Sequence, residues 1–236
     1  VGQWTYNVAD AVFTYTDPER TALRELGIKT DITVIANGID TTRFTPIGTV
    51  SNHIVRDTPV VLFVGRFTEG KRPADAIKAI ARVRSDYPNV RLYLAGDGER
   101  RGDLERLATE RGIDETVRFL GHVNYDEMPA LYRAADVLVL PSRAEGLPRT
   151  VLEALATETP VVTSDLPQLR PLTDKAGHAV PVGNNKALAS ALADIISNPV
   201  RAKQLGVRGR ELVTERHRWA ETVERTTERL ERLAGE

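Results

Sequence analysis

The chain has 236 residues, 41% hydrophobic and 28% charged, a composition typical of a globular protein large enough to bury a full core. Its 32 basic and 33 acidic residues nearly cancel, so the net charge gives no sign of nucleic acid or an anionic membrane as a partner. Cysteine is absent, which excludes disulfides and thiolate metal sites, and no apolar run is long enough for a transmembrane segment.

A cysteine-free chain fits a reducing compartment. We therefore expect a cytoplasmic protein, either free or held at the membrane surface. The sequence begins at Val1 rather than at Met, and we expect a fragment or a processed product.

The first 58 residues differ in pattern from the rest of the chain. Two short strands and a helix between them are predicted there, at residues 11–16, 31–36 and 17–26. Such a piece is too small for a core of its own, so we interpret residues 1–40 as the remnant of a preceding domain. Residues 41–58 are polar and irregular, which predicts an interdomain linker.

Strands and helices alternate over residues 59–216. Residues 60–64 form a continuous apolar run, as expected of a strand buried on both faces. Residues 73–84 place apolar side chains at helical spacing behind Pro73. Further strands are predicted at residues 91–95, 117–120, 136–140, 160–163 and 179–182, and further helices at 104–111, 126–134 and 148–157, with two or three more between 186 and 234.

This alternation predicts an α/β fold, a Rossmann-like parallel sheet with right-handed crossovers and helices on both faces. Ligands of such sheets bind beyond the carboxyl ends of the strands. The loops to search for a site are therefore those that follow strands, at residues 65–72, 96–101, 121–125 and 141–149.

The last of these loops carries two glutamates eight positions apart, Glu145 before a helix and Glu153 inside it. Carboxylates accept hydrogen bonds from the paired hydroxyls of a ribose or hexose, and a helix N-terminus suits a diphosphate. Two glutamates at this spacing are, by themselves, more often solvated surface acids. Glu153, however, lies between the apolar Leu152 and Ala154, and an acid buried there needs a partner.

The loop after the first strand of the alternating region contains Gly65, Arg66 and Lys71. Glycine permits a sharp turn, and the two cations are able to neutralise a diphosphate. A basic surface turn explains the same residues equally well. The segment departs from a phosphate loop because Arg72 stands where a Mg²⁺-binding Ser or Thr is required.

Two further loops are weaker candidates. Gly96 opens a Gly-Asp-Gly turn that leaves room for a ligand. Gly121 and Val123 flank His122 in a loop whose backbone is able to approach a flat base, although a histidine there is more often a surface residue. Aspartate pairs spaced by one residue are absent and the histidines lack ligand spacing, so we expect no metal site.

Taken in order, these segments resemble the second half of retaining GT-B glycosyltransferases of the Glu-x7-Glu group, also called group 1 glycosyltransferases. The resemblance runs from about residue 9 to residue 234. Its matching stretches are residues 9–13, 34–40, 63–66 with Lys71, 119–121, 135–156 and the segment at Trp219.

The resemblance implies a role for each matching residue. Glu145 would be catalytic and contact the sugar near its reacting face, Arg66 and Lys71 would hold the diphosphate, and Glu153 would bind the ribose hydroxyls. The other implied binding residues are Gly65, Gly96, Gly121, His122, Val123, Gly146, Leu147, Thr150 and Val151. Residues 59–216 would form the nucleotide-sugar domain, and residues 217–236 a helix that packs back toward the N-terminal domain.

The implied activity is transfer of a hexose-type sugar from a nucleotide diphosphate donor, with retention and without metal or cofactor. The acceptor stays open between a glycan, a lipid-linked acceptor and a small molecule. Two alternatives also stay open: a nucleotide-sugar-binding module that needs a partner chain or a homodimer, and a nucleotide-sugar epimerase of the same architecture.

Two departures from the family pattern leave the donor sugar open. Residues 146–148 read Gly-Leu-Pro rather than Gly-aromatic-Gly, and residues 165–168 replace a common Gly-Gly turn. Pro148 lacks an N–H group, so one possible hydrogen bond to the sugar is absent.

Overall fold

The computed structural model describes residues 3–235. Its N-terminal part contains a small two-stranded parallel sheet and two helices. The elements are α1 (Gln3–Asn7), β1 (Val12–Thr14), α2 (Asp17–Glu25) and β2 (Ile32–Val34). Thr16 and Glu19 form a reciprocal capping box that fixes the start of α2. Val12, Ile28 and Ile32 make a small apolar cluster separate from the main core.

The rest of the chain forms one large α/β unit followed by a long helix. Its elements are β3 (Val60–Val64), α3 (Pro73–Val83), β4 (Arg91–Ala95), α4 (Arg101–Glu110), β5 (Val117–Gly121), α5 (Met128–Arg133), β6 (Val137–Leu140), α6 (Arg149–Ala156), β7 (Val161–Ser164), α7 (Arg170–Ala176), β8 (Gly177–Val180), α8 (Asn185–Ser197), α9 (Pro199–Arg216) and α10 (Trp219–Gly235).

The large sheet is parallel throughout, with strand order β5-β4-β3-β6-β7-β8. This is the doubly wound order in which the chain runs outward from β3 to one edge, returns, and runs from β6 to the other. The predicted Rossmann-like parallel sheet is therefore confirmed. The order reverses between β3 and β6, so the fold places a ligand crevice at the carboxyl ends of these two strands.

Some element boundaries differ from those predicted. β8 begins at residue 177, two positions before the predicted strand, and its first residue lies so close to β7 that a Cβ would stand 1.7 Å from the Val161 carbonyl oxygen. α7 was not predicted, since its seven residues bury few apolar side chains. α5 begins at Met128 rather than at 126 because a turn precedes it, and α4 begins at Arg101, three positions before the predicted helix.

Residues 41–58 contain no helix or strand, yet they pack on the large unit. Phe44 is fully buried, with its ring centroid 6.2 Å from that of Tyr132. The Arg133 guanidinium donates to the Thr45 carbonyl at 2.9 Å, and Ser51 N–H donates to the Ala130 carbonyl at 3.0 Å. The sequence showed a polar segment because isolated apolar residues such as Phe44 create no periodic pattern.

The chain crosses between its two parts twice, and the two crossings touch. We call residues 36–40 together with residues 217–222 the crossover. Ile39 N–H donates to the His217 carbonyl at 2.7 Å, and Trp219 N–H donates to the Ile39 carbonyl at 3.0 Å. Only glycine fits at Gly38, since a Cβ would lie 2.7 Å from the Cα of Trp219.

Beyond the crossover, α10 runs back along the N-terminal part. Arg225 donates to the Val34 carbonyl at 3.1 Å, and Arg229 pairs with Asp31. Within residues 3–235, every helix is too short or too polar to span a bilayer.

Candidate functional site

A cavity of about 560 Å³ opens at the carboxyl ends of β3, β4 and β5, beside the reversal of strand order. It is lined by Val64, Gly65, Arg66, Ala95, Gly96, Asp97, His122, Val123, Tyr125, Met128, Arg149 and Glu153. We call it the strand-end cavity. It brings together six of the residues predicted for the site, namely Gly65, Arg66, Gly96, His122, Val123 and Glu153.

Glycines form the floor of the cavity because the strand-end loops approach each other closely. Gly65 N–H donates to the Ala95 carbonyl at 3.0 Å, and Gly96 N–H donates to the Gly121 carbonyl at 2.7 Å. A Cβ at position 96 would lie 2.0 Å from the Gly65 carbonyl oxygen, and its φ of 136° also favours glycine. Gly121 thus takes part through its backbone and does not line the cavity itself.

Glu153 lies on α6 with only 4% of its surface exposed. Its carboxylate accepts a hydrogen bond of 2.8 Å from the Tyr132 hydroxyl, and the Arg149 guanidinium stands 3.9 Å away. Burial raises the pKa of the Glu153 carboxyl, and the Tyr132 hydrogen bond and the Arg149 charge offset part of that rise. The expected burial is confirmed, and Tyr132 is the partner that a buried acid requires.

Tyr125 lies at the cavity wall with two guanidinium groups close to its ring. The Arg43 guanidinium carbon is 4.3 Å from the centroid of the Tyr125 ring, and that of Arg149 is 5.4 Å away. Arg149 also donates to the Tyr125 hydroxyl at 2.5 Å. Phe44 packs against the same ring at 5.5 Å, so the segment before β3 helps to shape the cavity.

Glu145 lies outside the strand-end cavity and is paired with Lys71. The Lys71 ammonium is 2.6 Å and 2.8 Å from the two carboxylate oxygens. The Glu145 side chain is 7% exposed and that of Lys71 is 28% exposed. The two predicted phosphate-binding cations therefore occupy different places, since Arg66 lines the cavity with Glu153 and Lys71 neutralises Glu145.

Residues 145–147 lie in the segment between β6 and α6, and we call them the Glu145 loop. Gln168 donates from its side-chain amide to the Glu145 carbonyl, and Asn37 donates to the Leu147 carbonyl at 2.7 Å. A Cβ at Gly146 would lie 2.7 Å from a carboxylate oxygen of Glu19.

The helix that follows the Glu145 loop has an uncapped start. Pro148 is its N-cap and provides no side-chain hydrogen bond. Leu147 and Val151 are buried, so only their backbones are available to a ligand, whereas Thr150 is half-buried. Within residues 3–235, the N–H groups of Arg149 and Thr150 donate no hydrogen bond. The N-terminus of α6 thus presents free N–H groups and the positive end of the helix dipole.

Sequence reasoning missed several residues of the site, namely Arg43, Tyr125, Met128, Tyr132 and Arg149. Three of them had a usable signal. Arg149 stands four positions before Glu153 on one helix, so the pair shares a face. Met128 and Tyr132 have the same spacing on α5. Arg43 had none, because its contact with Tyr125 depends on the path of an irregular segment.

Comparisons with known proteins agree with this architecture. The family described as "Glycosyl transferases group 1" matches residues 49–212. A lipopolysaccharide core biosynthesis glycosyltransferase of Rhizobium meliloti is 36% identical over 189 residues, which is 79% of this chain and 54% of that protein. The chain spans about half the length of the curated relatives it matches.

Solved structures share the fold. A sucrose-phosphate synthase of Thermosynechococcus elongatus superposes with a TM-score of 0.88 at 26% identity, over 99% of this chain and 60% of that one. Anabaena HepE, solved with UDP and glucose, gives a TM-score of 0.84 at 21% identity, over 98% of this chain and 67% of that one. The chain belongs to the group 1 glycosyltransferases and has the fold of the C-terminal half of a GT-B enzyme.

Proposed function

We propose that this chain carries the nucleotide-sugar-binding half of a glycosyltransferase that moves a hexose-type sugar from a nucleoside diphosphate. One observation supports the proposal above the others: the buried carboxylate of Glu153 lines the same cavity as Arg66, at the reversal of strand order. A carboxylate held there is suited to a ribose diol, and a guanidinium to a diphosphate.

The nucleoside would occupy the strand-end cavity. Val123, Ala95 and Met128 provide an apolar wall for a flat base, beside the backbone of Gly121 and His122. Glu153 would accept hydrogen bonds from the ribose in addition to the one of 2.8 Å that its carboxylate accepts from the Tyr132 hydroxyl. Gly65 and Gly96 would keep the floor low enough for the ribose and diphosphate to lie over the strand ends.

The sugar would lie toward the Glu145 loop. The N-terminus of α6, with the backbone from Gly146 to Val151, would meet the sugar and the second phosphate. Lys71 would share its charge between Glu145 and that phosphate, and Glu145 would contact the sugar at its reacting face. Arg66, Lys71 and the α6 dipole would together stabilise the departing diphosphate, which is the basis for proposing transfer without metal or cofactor. Retention is proposed from the resemblance to the retaining enzymes alone.

Domain roles follow the same division. Residues 59–216 would bind the nucleotide sugar, residues 41–58 would connect the two units, and residues 1–40 would belong to the acceptor-side unit. Since the chain spans about half of its relatives, we expect the 236-residue chain alone to bind nucleotide sugar and transfer poorly. Efficient transfer by the isolated chain would contradict this division.

A second candidate function is a binding module completed by another chain. Large apolar side chains are exposed on the N-terminal part, among them Trp4, Phe13 and Tyr15. Exposed apolar residues in one region are typical of surfaces that meet a partner. Light scattering at increasing concentration would reveal a dimer, and an epimerase would be revealed by conversion of a nucleotide sugar without any acceptor.

Calorimetric titration tests the proposed site directly. UDP, GDP and ADP, each with and without a hexose, would be titrated into the wild-type chain and into Glu153→Gln and Arg66→Ala. We expect at least one nucleotide to bind, and each variant to weaken it about tenfold or more, the equivalent of roughly 1.4 kcal/mol. Glu110→Gln on α4 is the matched control and should bind as the wild type does. Binding of no nucleotide, or equal binding by all variants, would overturn the proposal.

A further inference from the structure

Two side-chain amides hold the Glu145 loop from opposite ends. Gln168, in the turn after β7, donates to the carbonyl of Glu145. Asn37, in the crossover, donates to the carbonyl of Leu147 at 2.7 Å. These two carbonyls flank Gly146, so the only glycine of the loop sits between two fixed points.

The hydrogen bond from Gln168 has a geometric consequence for the next N–H group. In a trans peptide, the C=O and N–H groups share a plane and point in opposite directions. The Glu145–Gly146 peptide is trans, so holding the Glu145 carbonyl also aims the N–H of Gly146 away from Gln168. Within residues 3–235 that N–H donates no hydrogen bond, which leaves it for a ligand.

The bond from Asn37 acts on the other side of Gly146. Pro148 has no N–H group, so the Leu147–Pro148 peptide is anchored through its carbonyl. Its partner Asn37 is itself held, since its own carbonyl receives a hydrogen bond of 3.2 Å from the Nδ1 of His217. Burial lowers the pKa of His217, which favours a neutral imidazole with its proton on Nδ1.

The crossover that carries Asn37 is firmly built. Ile39 donates a backbone hydrogen bond to His217 and accepts one from Trp219, and the Thr222 hydroxyl donates to the Ala36 carbonyl at 3.0 Å. A change in the path of the crossover therefore reaches Leu147 through the Asn37 side chain.

We propose that Asn37 and Gln168 are positioning residues that set the direction of the Gly146 N–H group, and that Asn37 transmits the state of the crossover to the Glu145 loop. This inference rests on the proposed function, because the group that Gly146 would meet is the sugar of the bound nucleotide sugar. Both amides lie outside the strand-end cavity and touch no nucleoside site.

We call the hydrogen bonds from Asn37 and Gln168 to the Glu145 loop the clamp. Hydrogen exchange of the ligand-free chain tests whether the clamp exists. Asn37→Asp and Gln168→Glu keep the shape of each side chain and remove its N–H donor. We expect backbone exchange in residues 143–151 to rise several-fold in both variants, since loops that lose hydrogen bonds open more often. Thr222→Val loosens the crossover at the Ala36 carbonyl, and through Asn37 it should raise exchange both near residue 36 and in residues 143–151. Ser190→Ala on α8, which loses a side-chain hydrogen bond far from the crossover in sequence, is the control and should leave residues 143–151 unchanged. Unchanged exchange of residues 143–151 in both amide variants would overturn the clamp.

Binding separates positioning from general damage. For each variant, the affinity of UDP or GDP is compared with that of the same nucleotide carrying a hexose. We expect the affinity of the bare nucleotide to change less than about twofold, and that of the nucleotide sugar to fall by roughly tenfold, the effect of one well-placed hydrogen bond. Equal loss for both ligands would show a structural role only and would contradict the inference. Failure of the wild-type chain to bind any nucleotide would instead overturn the proposed function, and the exchange result would still decide whether the clamp exists.

Discussion

The two glutamates that are eight residues apart occupy two different environments. Glu153 is buried in α6, with a tyrosine hydroxyl as its close partner and a raised pKa. Glu145 is also shielded, but an ammonium group contacts both of its oxygens. The proposed nucleoside end of the site therefore depends on a buried hydrogen bond, and the proposed sugar end on a neutralised ion pair. The same residue type thus serves two purposes because its neighbours differ.

The largest stability effect is expected at the pair of Lys71 and Glu145. Lys71→Met leaves the shielded Glu145 carboxylate without its cation, and we expect a loss of about 2–3 kcal/mol in unfolding free energy, less than for a fully buried pair because Lys71 is partly exposed. Urea denaturation measures it. Glu145→Gln in the same background should restore much of the loss, and failure to do so would show that the pair is not what stabilises the loop.

At the buried Glu153, Tyr132→Phe removes the hydrogen-bond donor to the carboxylate and keeps the ring. We expect a loss of about 1–2 kcal/mol, because a buried carboxylate loses a hydrogen bond. Tyr93→Phe is the matched control. The Tyr93 hydroxyl accepts a hydrogen bond from the N–H of the exposed Val55. In Tyr93→Phe water is able to replace the hydroxyl as the partner of that N–H, so the loss in unfolding free energy should be smaller. Equal losses in the two variants would contradict the assigned environment of Glu153.

The raised pKa of Glu153 gives a pH dependence of defined sign. A carboxyl whose pKa is higher in the folded state than in the unfolded state binds its proton more tightly when folded. The contribution of Glu153 to folding stability is therefore fully present below its pKa in the unfolded state. It is lost as the pH rises through its pKa in the folded state. Glu153→Gln keeps an acceptor for Tyr132. Its stability relative to the wild type, followed by thermal midpoints, should increase as the pH is raised from about 4 to 7. A constant difference across this range would contradict the assignment.

The smallest effect is expected for an exposed pair beside the same loops. Arg143 and Glu69 are 3.3 Å apart, with 60% and 71% of their side chains exposed. A double-mutant cycle should give a coupling below about 0.5 kcal/mol, since solvent screens such pairs. The cycle for Lys71 and Glu145 should give about 1 kcal/mol or more. Similar values would remove the distinction between a shielded and an exposed pair.

The sequence predicted the centre of the fold better than its edges. The strands at residues 60–64 and 91–95 were placed at their observed limits because buried parallel strands are continuous apolar runs. The edge strand β8 and the short α7 were misplaced or missed, since neither has an apolar pattern of useful length.

For the site, the sequence predicted residues and not their partners. The burial of Glu153 followed from its apolar neighbours, whereas Tyr132 lies 21 positions away on another helix and gives no local sign of the contact. Lys71 was expected to face the diphosphate, and it lies against Glu145, 74 positions along the chain. Pairings of this kind depend on the way the loops meet, which the local pattern does not contain.

A structure of the chain with a bound nucleoside diphosphate tests the central claim most directly. We expect the ribose hydroxyls to lie within about 2.6–3.2 Å of the Glu153 carboxylate, the distance of a hydrogen bond, with the diphosphate against Arg66. A nucleotide bound outside the strand-end cavity, or with its ribose turned away from Glu153, would contradict the proposed site.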